Sequence, residues 1–330
     1  MTMLTMRHDF RAPAFGPASS AEIYAAALEQ YKWADAQGWD LAVLSEHHGI
    51  DDGWLPAPLT IAGVILGSTP RIPVFVSASI LPLHDPVRIA EQIAVLDNAA
   101  PGRLMTVFGA GYKHEEFAMS GVDHASRGAT LEEYVDVVVR ALTGEPFEWQ
   151  GRTITVTPKP ATRPHPTILV GGGAPAAARR AARLRLPMMP MNTDPRLTTA
   201  YQEEAARVGY SGGFVMQPTG PTFVHVTKDP ERTWSQIGDY LLYEAKTYAS
   251  YQTPGQHSTP MVDAANVDDL KASPQVVVGT PDDVVAAAAK VPPMGALTFN
   301  PLAGGLPPDL AWESLELFAS EVHPRLKAAG

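Results

Sequence analysis

The chain of 330 residues contains no cysteine. Disulfides, thiolate nucleophiles and cysteine-ligated metals are therefore excluded. Positive charge is scarce: 25 Lys and Arg stand against 35 Asp and Glu, giving a formal net charge of −10 and a pI near 5.4. An acidic surface repels phosphate backbones, so nucleic acid is not an expected partner. No apolar run approaches the roughly 18 residues of a membrane span. Residues 1–11 include Arg7, His8 and Asp9 where a signal peptide would be apolar. The expectation is a soluble cytoplasmic protein with no membrane partner.

What is present suits a globular protein with a sizeable core: 45% hydrophobic and 18% charged residues. The 31 prolines and 27 glycines lie scattered between periodic segments, which predicts many short connections. Strand-like stretches at 3–9, 40–46, 72–81, 104–108, 167–170, 188–191, 214–216, 223–226, 276–278 and 296–299 alternate with helix-like ones. Such alternation implies a parallel sheet with helices outside it. About eight strand–helix pairs favour a (β/α)₈ TIM barrel over an open doubly wound sheet. We expect one domain over 1–330, with insertions at 109–127, 145–166 and 252–275 taking up the surplus over a barrel's roughly 250 residues. The first insertion reads as a long polar loop. The second holds a small hairpin around Gln150-Gly151. The third looks irregular and mobile, with little apolar surface to bury.

The stretch Leu41-Ala-Val-Leu-Ser-Glu-His-His-Gly49 runs from an apolar strand straight into charge and imidazole. In barrels of this kind chemistry sits at the C-terminal ends of strands. Neighbouring strand residues point to opposite faces, so a regular strand would aim only one of His47 and His48 at the mouth. That one can handle protons or donate a hydrogen bond; otherwise both are satisfied strand-end histidines. No metal site is expected, because no matching Glu-x-x-His or His-x-His occurs elsewhere. Gly171-Gly172-Gly173-Ala174 falls between a strand and a helix. Three successive glycines exceed what a tight turn needs, and the helix start favours an anion, so the loop reads as a phosphate cradle. It is not the Gly-x-Gly-x-x-Gly fingerprint of dinucleotide binding. Arg127 can clamp a phosphate, or pair with a carboxylate such as Glu132. Glu115 and Glu116 read as favourable dipole partners of a helix start. Gly279-Thr-Pro-Asp-Asp283 reads as a helix start, and Met188 to Met191 as core or an apolar wall.

Six separated stretches, in order, resemble the luciferase-like flavin-dependent monooxygenase family: Ser45-Glu-His-His48; Ser77 to Glu91; Leu96-Asp97 with Pro101-Gly-Arg-Leu104; Gly109-Ala-Gly-Tyr112 with Glu115-Glu-Phe117, Gly121 and Arg127; Leu169-Val-Gly-Gly-Gly173; and Val278 to Asp283. The resemblance implies a (β/α)₈ barrel that binds FMN, or in one branch F420, at its mouth. It implies that His47 lies near the flavin ring, that Ser77 and Ala78 lie against it, often through a cis peptide, and that Gly172, Gly173, Ala174 and Arg127 hold the phosphate. Gly109 and Ala110 stand where bacterial luciferase has a reactive cysteine and a second phosphate arginine, so light emission is not implied.

The function this supports is a flavin-dependent monooxygenase acting on a small organic substrate, with reduced FMN supplied by a separate reductase. The alternatives are an F420-dependent dehydrogenase or reductase and a flavin-sequestering protein without turnover. A hydrolase or isomerase barrel lacks its expected paired carboxylates. A homodimer is expected, implied by the family and by the stretches 56–67 and 86–98, which are apolar on more than one face, with Ile65 and Val95 as contact residues.

Overall fold

The computed structural model describes residues 2–251, 258 and 262–329. Most of the central part of the third insertion, 252–257 and 259–261, lies outside the described residues, and the expectation of mobility there with it.

The chain begins with β1 (Met3–His8), α1 (Ser20–Gln37), β2 (Leu41–Leu44), α2 (Pro58–Ser68), β3 (Val74–Ile80), α3 (Pro86–Ala99) and β4 (Leu104–Gly109). Then come α4 (His114–Ser120), α5 (Arg127–Thr143), the hairpin β5 (Phe147–Trp149) and β6 (Arg152–Ile154), β7 (Thr167–Gly172), α6 (Pro175–Arg183) and β8 (Met188–Pro190). The remainder is α7 (Pro195–Arg207), β9 (Phe223–Val226), α8 (Pro230–Ser250), α9 (Val267–Ala272), β10 (Val276–Gly279), α10 (Pro281–Ala288), β11 (Ala296–Phe299), α11 (Pro308–Leu317) and α12 (His323–Ala329). Local chemistry explains the helix boundaries. Ser19 and Glu22 form a reciprocal capping box at the start of α1, and Gly38 ends it in the left-handed conformation. Asp85 caps α3 ahead of Pro86. Thr280 and Asp283 box the start of α10, as the sequence predicts.

Among the described residues the main sheet has seven parallel strands in the order β11-β1-β2-β3-β4-β7-β8, and β9 and β10 form a separate parallel pair. Across β2, β3, β4 and β7 both faces of the main sheet are apolar, as parallel sheets require. One residue parity, including Ala42, Leu44, Val74, Val76, Phe108 and Val170, packs under the helices. The other parity packs on itself: Phe75, Val107 and Leu169 meet Leu41, Val43, Met105, Met189 and Met216. Residues from five neighbouring strands converge there only because the sheet curls. Among the described residues no helix is long and apolar enough to cross a membrane.

Four expectations are corrected. The polar loop 109–127 contains α4, which buries Glu116 and Phe117. The irregular stretch 252–275 contains α9, boxed by Asn266 and Asp269. The expected strand 214–216 makes a single bridge, Val215 to Met188. Ile65 is fully buried against the core, whereas Val64 and Val95 are the exposed apolar residues of α2 and α3.

Candidate active site

β2 ends at Leu44, so Ser45 to His48 leave the strand's alternation. His47 is buried, and its Nδ1 lies 2.9 Å from Glu116 Oε1. The same oxygen accepts the His48 backbone N–H at 3.0 Å. A carboxylate facing Nδ1 assigns that nitrogen the proton and leaves Nε2 as the acceptor. Four aromatic rings surround the imidazole, with centroid separations of 4.4 Å for Trp54, 5.9 Å for Tyr112, 6.1 Å for Tyr251 and 6.2 Å for Tyr248. Tyr248 lies in the last turn of α8 and Tyr251 directly follows that helix. Burial holds the phenols of Tyr112 and Tyr248 protonated far above the usual tyrosine range and raises Tyr251 to about 12.

Beneath this pocket lies a buried ionic cluster. Ser45 Oγ donates to Asp9 at 2.9 Å, and Trp54 Nε1 donates to Ser45 Oγ at 3.2 Å, so the ring against His47 is anchored to Asp9. Arg7 donates to Asp9 and to the Tyr248 hydroxyl. Arg11, wholly buried, pairs with Asp52 at 2.6 Å and with Glu244 at 3.4 Å. Its guanidinium also covers the Trp54 and Tyr243 rings at 4.4 and 4.8 Å.

The other acid of the central stretch, Glu46, points elsewhere. Its Oε1 meets His48 Nε2 at 2.7 Å and His84 Nε2 at 2.6 Å; its Oε2 accepts Ser79 Oγ at 2.8 Å and Ile80 N–H at 3.1 Å. Burial pushes this carboxyl up, but the bonds and charges of the two imidazoles outweigh it and hold it at about 2. His48 is raised in turn by its bond to Glu46, against its burial. Glu46 thereby ties the end of β2 to the end of β3, just past the Ser77–Ala78 peptide, which is cis as the resemblance implies.

The remaining expected residues lie along neighbouring strand ends. A Cβ on Gly109 would stand 3.3 Å from Ala78 Cβ, a tight approach. A Cβ on Gly171 would stand 3.0 Å from Val107, and one on Gly172 would collide with Ala177. Those two glycines are therefore required by packing. Gly173 is different: the nearest atoms a Cβ there would meet, on Asn192 and Met191, stand at ordinary contact distance, 3.6 Å. Ala174 starts α6 with no side-chain cap. Arg127 donates to its own loop at His124 O, 2.8 Å away, and Glu132 pairs with Arg183 and Arg180 instead. The start of α5 nevertheless lies against α6, because a Cβ on Gly128 would stand 2.8 Å from Arg180 Nη2.

The structure thus places His47, Ala78, Gly109 and Gly171–Gly173 at the C-terminal ends of β2, β3, β4 and β7, four adjacent strands. Three strand spacings of about 4.8 Å make this rim roughly 14 Å long. It has an imidazole and aromatic rings at one end, small residues in the middle, and a glycine loop with an uncapped helix start at the other. Sequence reasoning missed Trp54, Tyr112, Tyr248, Tyr251, His84 and the role of Glu116. Glu116, Tyr112 and His84 lay inside the matched stretches without being assigned a role; Trp54, Tyr248 and Tyr251 lay outside them.

The profile of the luciferase-like monooxygenase family matches residues 8–296, and the chain belongs to that family. Among curated relatives, 4-hydroxyprotoasukamycin monooxygenase of Streptomyces nodosus subsp. asukaensis is 25% identical over 325 residues, covering 92% of this chain and 86% of that protein. A Sinorhizobium fredii protein, y4vJ, is 28% identical over 170 residues, and the match covers 50% of this chain and 48% of its length. Monooxygenase RslO1 from Streptomyces bottropensis shares the fold with a TM-score of 0.77 at 22% identity, over 98% of this chain and 100% of that one. The oxygenating constituent of 3,6-diketocamphane monooxygenase of Pseudomonas putida, solved with FMN, gives 0.68 at 19% identity over 98% of each chain. An F420-dependent secondary alcohol dehydrogenase gives 0.66 at 15% identity, over 94% of this chain and 98% of that one.

Proposed function

We propose that this chain is a flavin-dependent monooxygenase that uses reduced FMN, delivered by a separate reductase, and O₂ to oxidise a small organic substrate. The observation that carries the reading is the rim itself, with a proton-handling pair and an aromatic enclosure at one end and an anion cradle at the other. The residues fit the cofactor: Gly173 presents bare backbone in the loop, and the uncapped start of α6 offers a positive dipole end to a phosphate. Gly171, Gly172, Gly173, Ala174 and Arg127 would hold the phosphate, with Ser77, Ala78 and Gly109 against the ring system. When bound, reduced flavin supplies the electrons with which one oxygen atom of O₂ enters the substrate.

The chain's own residues do the rest. His47 Nε2 accepts or returns the proton that accompanies oxygen transfer, while Glu116 fixes the tautomer and steadies the imidazolium. Trp54, Tyr112, Tyr248 and Tyr251 exclude water around that proton and offer apolar faces to the substrate. We also infer that the curled sheet closes as a (β/α)₈ barrel in one domain. The segment 214–221 supports this, because it bonds to both sheet edges: Met188 N to Phe214 O (3.0 Å), Met216 N to Met188 O (2.8 Å), Ala296 N to Thr219 O (3.1 Å) and Thr298 N to Pro221 O (3.1 Å).

Titration with FMN and with F420, followed by anaerobic reduction and exposure to O₂, tests the reading. FMN binding with O₂-dependent product formation supports it. Binding of F420 alone, with hydride transfer, favours the dehydrogenase reading, and FMN binding without turnover favours a flavin carrier. Gly173→Glu is expected to weaken FMN binding at least about tenfold by setting bulk and negative charge against the phosphate. Unchanged affinity in the folded variant would remove the phosphate from this loop.

A homodimer accompanies the proposal. Val64 and Val95 are 44% and 54% exposed on α2 and α3, an apolar pair with no role in the core. Sedimentation at low micromolar concentration should give about twice the 35.3 kDa of one chain. Val64→Glu with Val95→Glu should return it to the mass of one chain. A wild-type mass of one chain at every concentration contradicts the dimer.

A further inference from the structure

We propose that Glu46, His48 and His84 form a binding site for one divalent transition cation of the Zn²⁺ class, between the ends of β2 and β3. The site is separate from the His47–Glu116 pair and does not depend on the flavin reading. Its ligand atoms, Glu46 Oε1, His48 Nε2 and His84 Nε2, all lie within 4.8 Å of one another. Two imidazoles and one carboxylate are a common donor set for such ions.

Charge supports the same assignment. Glu46 is 3% exposed, and its ion-pair partners among the described residues are these two imidazoles alone. When both imidazoles are neutral, a buried carboxylate stands there with no permanent cation beside it. A divalent ion supplies that charge, and each imidazole then turns its Nε2 lone pair inward and carries its proton on Nδ1.

The surroundings fit a metal ligand shell. Ser79 Oγ and Ile80 N–H hold Glu46 Oε2 in place and leave Oε1 directed at the histidines, the outer-shell support that ligating carboxylates need. Tetrahedral ligands about 2.0–2.1 Å from a zinc ion stand about 3.3 Å apart. The N···O separations of 2.7 and 2.6 Å must therefore widen by roughly 0.6 Å on binding. His84 has that freedom: it follows the short 3₁₀ turn Leu81–Leu83, and its side chain is 29% exposed. The His48 side chain is 15% exposed, so the site opens to solvent, where water completes the coordination.

The test is titration of the metal-free full-length protein at pH 8 with Zn²⁺, read by competition with a chromogenic chelator, and with Co²⁺, read by its visible absorption. Wild type should bind one ion per chain at micromolar concentration or below, and Zn²⁺ should raise its Tm by mass action. His84→Ala, at a partly exposed position, should weaken binding by more than the 10–100-fold that loss of an outer-shell partner costs and abolish the Tm shift. Glu46→Gln should do the same if it folds, which circular dichroism checks. Equal binding by wild type and folded His84→Ala, or no stoichiometric binding by wild type, overturns the proposal.

Discussion

Replacing His47 by alanine is expected to lower turnover by about 100- to 10,000-fold, the range for loss of a positioned general acid–base, while the fold stays intact. The imidazole is buried, its Nδ1 is committed to Glu116, and its ring packs on Trp54. The substituted protein keeps the aromatic enclosure and the rim, so FMN affinity should change little and the loss should fall on the chemical step. Glu116→Gln tests the positioning role separately. It keeps the shape but removes the charge, and its amide can face Nδ1 as either donor or acceptor. We expect a smaller loss than for His47→Ala, because the imidazole keeps its place while its tautomer is no longer fixed by a carboxylate. Normal turnover by folded His47→Ala sinks the assignment. Normal turnover there together with inactive, folded His48→Ala would reverse the roles of the two histidines.

The parts of this molecule that were legible from sequence are those set by local periodicity. Parallel strands covered on both faces are short apolar runs, and each strand from β1 to β4 can be seen as one. The caps at Ser19, Asp85 and Thr280 are equally local. Of the segment 214–221 only 214–216 was legible, because its pairing is short and interrupted. Pro218, Gly220 and Pro221 break it, and Gly220 adopts φ +103 where a Cβ would collide with Ala296 O. The site divides in the same way. His47 and the glycine loop sit at abrupt changes from apolar to polar or glycine sequence, which any reader of the chain meets. Glu116 lies on a seven-residue helix inside what reads as a polar loop, and an acid in a first turn has an ordinary explanation in the helix dipole. Tyr248 and Tyr251 reach His47 from the end of α8, about two hundred residues away, and His84 reaches Glu46 across 38 positions. Only folding brings these groups together, and no spacing within the chain announces them.

Arg11→Ala is expected to cost about 3–5 kcal/mol of stability, as removal of one member of a buried ion pair does. Asp52 would lose a 2.6 Å partner and Glu244 its 3.4 Å one, and Trp54 and Tyr243 would lose the cation over their rings. The cost should also depend on pH. Arg7 and Arg11 bring two positive charges to three acids, Asp9, Asp52 and Glu244, so one proton completes the balance. Glu244 carries it: burial, then the charge of Asp9, pushes its carboxyl up to about 7 against the pull of Arg11 and Arg7. From about pH 4.5 to about 7 the folded protein holds a proton there that the unfolded chain has released. By linkage, this group's contribution to stability is complete below that window and is lost as the pH rises through it. Without Arg11, an ionised Glu244 has lost its ion-pair partner, whereas a protonated one has lost little. Urea denaturation of wild type and Arg11→Ala should therefore show a larger stability difference at pH 8 than at pH 5.5. An equal difference at both values would mean that the guanidinium acts through its packing on Trp54 and Tyr243, and that charge balance beneath the His47 pocket is not what holds the cluster together.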